Sequence, residues 1–227
     1  MRTDPPPRRG DPSSLRLLRV LQIFDSQFPV GAFAHSGGLE TYASLGGGVS
    51  ELREVLQAQI ALGWGRSELA AAHLAWHAEK GGSPLFSLAR QVDALKVVPA
   101  VRNYSVGLGR RTLELLRRLY PDAAVDVDPP HHAVVVGAAG RRLAIGAREL
   151  LLAYGHSLAV GTVTAALRCM PVSPAQAQHL LADVHEDLSG AVERALDDPE
   201  AALFTCTPAL DIRSHEQAFL RTRLFQT

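Results

Sequence analysis

From Ser13 to Leu196 the apolar residues recur three and four apart, and Gly-Gly or Ser-Pro pairs cut this recurrence into separate runs. Such spacing lays one apolar stripe along each of a series of helices. Little is left over for a sheet. One Val-rich segment, 132–139, could pass for a strand, but no second strand exists to pair with it, and it reads as helix. Composition points the same way. Hydrophobic residues make up 47% of the 227, enough for a sizeable core, whereas aromatic residues are only 6%. Alanine and leucine favour close-packed helices; strands draw on β-branched and aromatic residues. The sequence predicts an all-α fold, a single compact bundle of roughly eight to ten helices.

Along the chain, residues 1–12 are Pro- and Arg-rich and read as a disordered lead, and 13–227 as the helical domain. Ser13 or Ser14 can cap a first helix whose stripe is Leu15, Leu17, Leu18, Leu21 and Phe24. A short helix from about Ser36 to Ser44 stops at Gly46-Gly47-Gly48. Ser50 starts a long helical stretch, with Gly63-Trp64-Gly65 marking a kink or break within it. Ser83-Pro84 opens the next helix in cap-then-proline order, and another runs from about Ala100 to Leu119. Ala147–Leu167 is strongly apolar, and Ser173-Pro174 begins a helix to about Leu196. From 198 to 227 the periodicity weakens.

Between the first two helices lies an unusual connection, Phe28 to Glu40, rich in glycine and aromatic residues. Gly31, Gly37 and Gly38 permit bends that a side chain would block, and Pro29 fixes one φ angle. This segment can be a buried elbow, with Phe28 and Phe33 as plugs and Ser36 as a helix cap. It can also be a chemical cluster of His35, Ser36 and Glu40. Spacing alone favours the elbow, because one His near one Ser is common by chance.

No other catalytic set stands out. The chain has no phosphate-cradling Gly-x-x-x-x-Gly-Lys-Ser/Thr loop, no Gly-x-Ser-x-Gly elbow and no His-Glu-x-x-His helix. His73 and His77, four apart on one helix, are the sharpest metal candidate; two ligands make a weak site, and a solvated polar stripe is the plainer reading. Adjacent His131 and His132 diverge on a helix, and His131 reads as near-surface material at a helix start. Cys169 and Cys206 read as two buried free thiols. Lys plus Arg equals Asp plus Glu at 23 each, which gives no basic excess for nucleic acid. No run approaches the roughly eighteen uninterrupted apolar residues of a membrane helix. No apolar leader follows the first residues, so cytoplasm is the expected location. A helix carrying Arg102, Ser105, Gly109, Arg110 and Arg111 reads equally as a solvated basic face or an interface.

Four segments, in order, resemble the UreF family of urease accessory proteins. The first is Pro29, Gly31, His35, Ser36, Gly38, Leu39 and Glu40 within the elbow. The second is Arg102, Ser105, Gly109 and Arg110. The third is His131 through Val134 to Gly137, and the fourth the tail with Pro208, Asp211, His215, Glu216 and Phe225. The resemblance implies an all-α adaptor, not an enzyme. It implies no stably bound cofactor, with nickel handled by a complex. The implied partners are a UreD/UreH-type accessory protein, a UreG-type GTPase and apo-urease, with a homodimer inside the complex. On this reading the first segment shapes the bundle, the second lies on a partner-facing or tunnel-lining helix, and residues 198–227 dock on the second accessory protein. The chain departs from the family at Cys169-Met170-Pro171-Val172-Ser173-Pro174, where a Leu-Gly-Gln portion is usual. Two other readings stand beside it: a nickel-binding carrier using His73 and His77, and a helical hydrolase using His35, Ser36 and Glu40.

Overall fold

A computed structural model describes residues 11–31, 35–81 and 85–225, the side chains of 79–81 excepted. The lead at 1–10, Phe33 and the Ser83-Pro84 start therefore lie outside the described residues. Among those described there are helices and no strand. In chain order the helices are α1 (Pro12–Ile23), α2 (Leu39–Ser44), α3 (Val49–Leu62), α4 (Trp64–Gly81), α5 (Leu85–Leu95) and α6 (Pro99–Leu119). Then come α7 (His132–Arg142), α8 (Ala147–Cys169), α9 (Pro174–Asp183), α10 (His185–Asp197), α11 (Pro199–Ala202) and α12 (Pro208–Glu216).

The Val-rich segment is the helix α7, and it is buried on every side from Ala133 to Gly140. Its partner is α4, whose Leu69, Ala70, Ala71, Ala72 and Ala75 are fully buried. Small residues let the two axes come close. A Cβ on Gly137 would lie far inside 3.0 Å of the Ala72 carbonyl oxygen, so glycine is required at that crossing. Around this pair pack α3, α5, α6, α8, α10 and α11. The α3–α4 boundary is a true break at Gly63, where Trp64 N–H turns to Gln59 Oε1 at 3.2 Å. The helix α8 is long and apolar enough by composition to cross a membrane. Here Leu150, Leu151, Tyr154, Gly155, Ala159 and Val163 instead face the bundle.

Several sequence expectations are corrected. The cap of α1 is Asp11, whose carboxylate accepts from Ser14 N–H, not Ser13 or Ser14. Of the α1 stripe only its end reaches the core: Leu15, Leu17, Leu18 and Leu21 are 46–61% exposed, while Phe24 packs half-buried against the core beside Tyr154, and within the helix only Val20 is buried. The cap of α2 is Gly38, and Ser36 lies ahead of it with its hydroxyl committed elsewhere. The stretch from Ser173 to Leu196 is two helices. It turns at Val184 without glycine or proline, which lets the Leu180–Leu181 pair of α9 and the Leu188–Val192 stripe of α10 reach one core. The Ser173 start itself is a reciprocal cap with Gln176. Cys206 is exposed and Cys169 half-buried, so neither is the fully buried thiol that was expected.

Candidate functional site

The elbow and the tail meet. Gln217, just past α12, offers its side-chain oxygen to Ser36 Oγ–H at 2.7 Å and to Gly38 N–H at 3.1 Å. Its amide nitrogen donates to Glu40 Oε2 at 2.9 Å, and Leu224 N–H donates to Glu40 Oε1. Thr41 Oγ1 closes the clasp on the Arg213 carbonyl at 2.8 Å. Gly38 sits at φ +93°, and a Cβ there would meet Ser214 Oγ at 2.9 Å, so the turn needs glycine on both counts. Ser36, Glu40 and Gln217 are buried, which makes these bonds expensive to break.

This arrangement gives the signature residues structural employment. Phe28 and Val30 pack with Leu108, and Arg111 Nε donates to the Val30 carbonyl at 2.5 Å. His35 lies against Tyr104, ring centroids 4.0 Å apart. The Ser36 hydroxyl gives its proton to an amide oxygen, an acceptor too weak to deprotonate it. Glu40 is occupied by Gln217 and Leu224. Pro29 and Gly31 are exposed on the outside of the turn. In the tail Asp211 borders the cavity described below, Arg213 pairs with Glu216 at 2.6 Å, and His215 lies against Phe219. Phe225 is buried beneath Arg168.

The second and third segments also meet. His131, the N-cap of α7, is fully buried, contrary to the near-surface expectation, because both its ring nitrogens find partners inside the bundle. Its Nδ1 lies 3.1 Å from Ser105 Oγ and its Nε2 3.1 Å from Asp93 Oδ1. Arg102 donates twice to the Lys96 carbonyl and lies 3.8 Å from Asp93. A Cβ on Gly109 would collide with the Pro130 carbonyl. Ser105 and Gly109 are thus spent on the α6–α7 seam within this chain, while Arg110 faces solvent.

Beside both arrangements opens a cavity of about 560 Å³, lined largely by apolar side chains from the elbow, α6, α8 and the tail. One wall is polar. Glu68 of α4 is ion-paired with Lys96, and both side chains are 10% exposed. Tyr154 Oη donates to Glu68 Oε2 at 3.0 Å and lies 3.3 Å from His132 Nδ1. Burial works against the Glu68 charge, but the Lys96 ammonium and the hydrogen bonds from Lys96 and Tyr154 outweigh it and hold the carboxyl below its usual range. Burial, with Lys96 adding repulsion, pushes His132 down to about 4 against the pull of Glu68. Burial pushes Tyr104 up to about 12. Near pH 7 the wall therefore sets the Glu68–Lys96 ion pair beside three neutral hydrogen-bonding groups, His132, Tyr154 and Tyr104. Sequence reasoning named neither Lys96 nor Tyr154. A lone Lys after α5 and a Tyr in an apolar helix carry no pattern that links them.

His73 and His77 do share a face, with ring centroids 4.5 Å apart. They are not a solvated stripe, since His73 is buried and its Nδ1 lies 2.7 Å from the Ala195 carbonyl. Among the described residues no group of three or more His, Cys, Asp or Glu side chains is placed to hold a metal ion.

Comparison with known proteins adds two findings. The sequence profile of the UreF family matches residues 48–185, the span holding Glu68, Lys96, His131, His132 and Tyr154. The urease accessory protein UreF of Haemophilus influenzae (strain PittEE) is 29% identical over 221 residues, covering 92% of this chain and 94% of that one. The protein of that name from a Nostoc species is 29% identical over 218 residues, covering 92% and 95%. That from Actinobacillus pleuropneumoniae is 28% identical over 221 residues, covering 92% and 97%.

Proposed function

This chain belongs to the UreF family, and from that premise we propose that it is a urease accessory protein acting as a non-catalytic adaptor. In this reading it assembles a maturation complex with a UreD/UreH-type accessory protein, a UreG-type GTPase and apo-urease, as a homodimer in the cytoplasm. Nickel is cargo of that complex, and this chain couples the state of the GTPase to its insertion.

The observation that carries the reading is the tail. It is pinned by the Gln217–Glu40 clasp, yet it turns Ile212, Phe219 and Leu224 outward at 57–77% exposure. Apolar side chains displayed on a segment held by a few polar bonds form a surface that another protein can cover. The outward leucines of α1 offer a second such surface.

Co-expression with the two accessory partners and pull-down at micromolar concentration tests the proposal. The unmodified chain is expected to retain the UreD/UreH-type partner. Phe219→Asp is expected to lose it while the monomer stays folded by circular dichroism. Failure of the unmodified chain to form any complex would overturn the reading. The alternative, a nickel carrier using His73 and His77, is disfavoured by the burial of His73 and its bond to Ala195.

A further inference from the structure

Beside the elbow cavity, and sharing His156 and Val160 with it, α8, α9 and α10 line a second, open pocket of about 260 Å³. Its wall is aliphatic apart from Gln178, Thr164 and two histidines, His156 of α8 and His185 of α10. The two imidazoles face each other across the pocket with ring centroids 5.8 Å apart and planes at 52°. Among the described residues neither ring makes a hydrogen bond.

Two histidines from separate helices can chelate one ion if their nitrogens reach it together. With metal–nitrogen bonds of about 2.1 Å and a tetrahedral angle, their ring centroids would stand about 5.3 Å apart. The observed separation is half an ångström wider, within the reach of small side-chain rotations. Imidazole nitrogen suits the first-row divalent ions, and neutral rings are the ligating form. We propose that His156 and His185 form a two-histidine site for a first-row divalent cation, clipping α8 to α10 at the mouth of this pocket. Water completes the coordination, with the Gln178 side chain the one amide bordering the same space.

This site is distinct from the His73–His77 pair. That pair is closer, but one ring nitrogen of His73 is engaged by Ala195, and an ion would have to shed its water among packed side chains to reach the other. The two sites make opposite demands on the same experiment.

Titration calorimetry with Zn²⁺ on the full chain reads the stoichiometry. Visible absorption on loading with Co²⁺ reads nitrogen coordination, and thermal unfolding with and without Zn²⁺ reads the clip. One ion per chain and a raised Tm are expected. His156→Ala and His185→Ala should each lower the association constant at least about tenfold and abolish the Tm rise. Both side chains lie at the surface, so the variants should unfold near the wild-type temperature without metal. His73→Ala should leave Zn²⁺ binding intact. The proposal is overturned if the wild type takes up no Zn²⁺, if binding survives His185→Ala, or if it is lost in His73→Ala instead.

Discussion

Replacing Lys96 with methionine would remove the one cation that pairs with Glu68 among the described residues and keep most of the side-chain volume. Glu68 then sits inside the bundle with Tyr154 as its remaining hydrogen-bond donor. Breaking a buried ion pair from one side costs about 3–5 kcal/mol, because the abandoned charge has lost its water and gained nothing. For a chain of this size that is a fall in Tm of roughly 6–20 °C, at 2–4 °C per kcal/mol. The deficit should depend on pH, and the direction follows from the charges. In the wild type Glu68 is held below its usual range, so its contribution is complete above the unfolded value and fades as acid protonates it. In Lys96→Met burial is no longer countered, and the folded state takes up a proton. If it settles on Glu68, which the unfolded chain leaves ionised, folding gains stability as pH falls; if it settles on His132, which the unfolded chain also protonates below 6.5, the variant only escapes the loss that the wild type suffers there. Either way the deficit shrinks from pH 7 toward pH 5. Urea unfolding at the two pH values measures this. The double variant Lys96→Met/Glu68→Leu should recover most of the loss. A deficit equal at both pH values, or no recovery in the double variant, would refute the electrostatic account and leave packing as the cause.

Two further predictions concern packing and acid. Gly137→Ala forces a methyl group onto the Ala72 carbonyl and should cost more than about 2 kcal/mol in chemical unfolding, while Gly161→Ala, with nothing within 4 Å of the added Cβ, should be neutral or stabilise by up to about 1 kcal/mol. His132 is held down at about 4, so the unfolded chain binds a proton there that the native state refuses between pH 6.5 and 4. This single residue should subtract about 3 kcal/mol across that window, and His132→Gln should show a correspondingly shallower loss of stability on acidification.

Helix type and order were readable because each run carries its own period and its own breaker. Segment 132–139 is instructive: its valines suit a strand, and the family resemblance and the lack of a partner strand argued for the buried helix α7. The α9–α10 turn was illegible because Val184 is no breaker; the bend serves tertiary packing. The α1 leucines have a core-like period yet face outward, since periodicity shows that a face is apolar without saying what covers it. At the site, local signals found His35, Ser36 and Glu40 but not their purpose: Ser36 and Glu40 serve Gln217, 181 and 177 positions away, and His35 packs on Tyr104. The Lys96–Glu68–Tyr154 wall was equally hidden, being assembled from three helical regions with no shared motif.

The Gln217–Glu40 clasp makes the two ends of the sequence answer for each other. A polypeptide that stops before Gln217 has already committed Glu40 to the interior without its donors, and Ser36 without its acceptor. Truncated or frayed molecules would thus carry a destabilised turn near their beginning. Damage at one extremity would be felt about as strongly at the other, and a protease or chaperone surveying either could detect it.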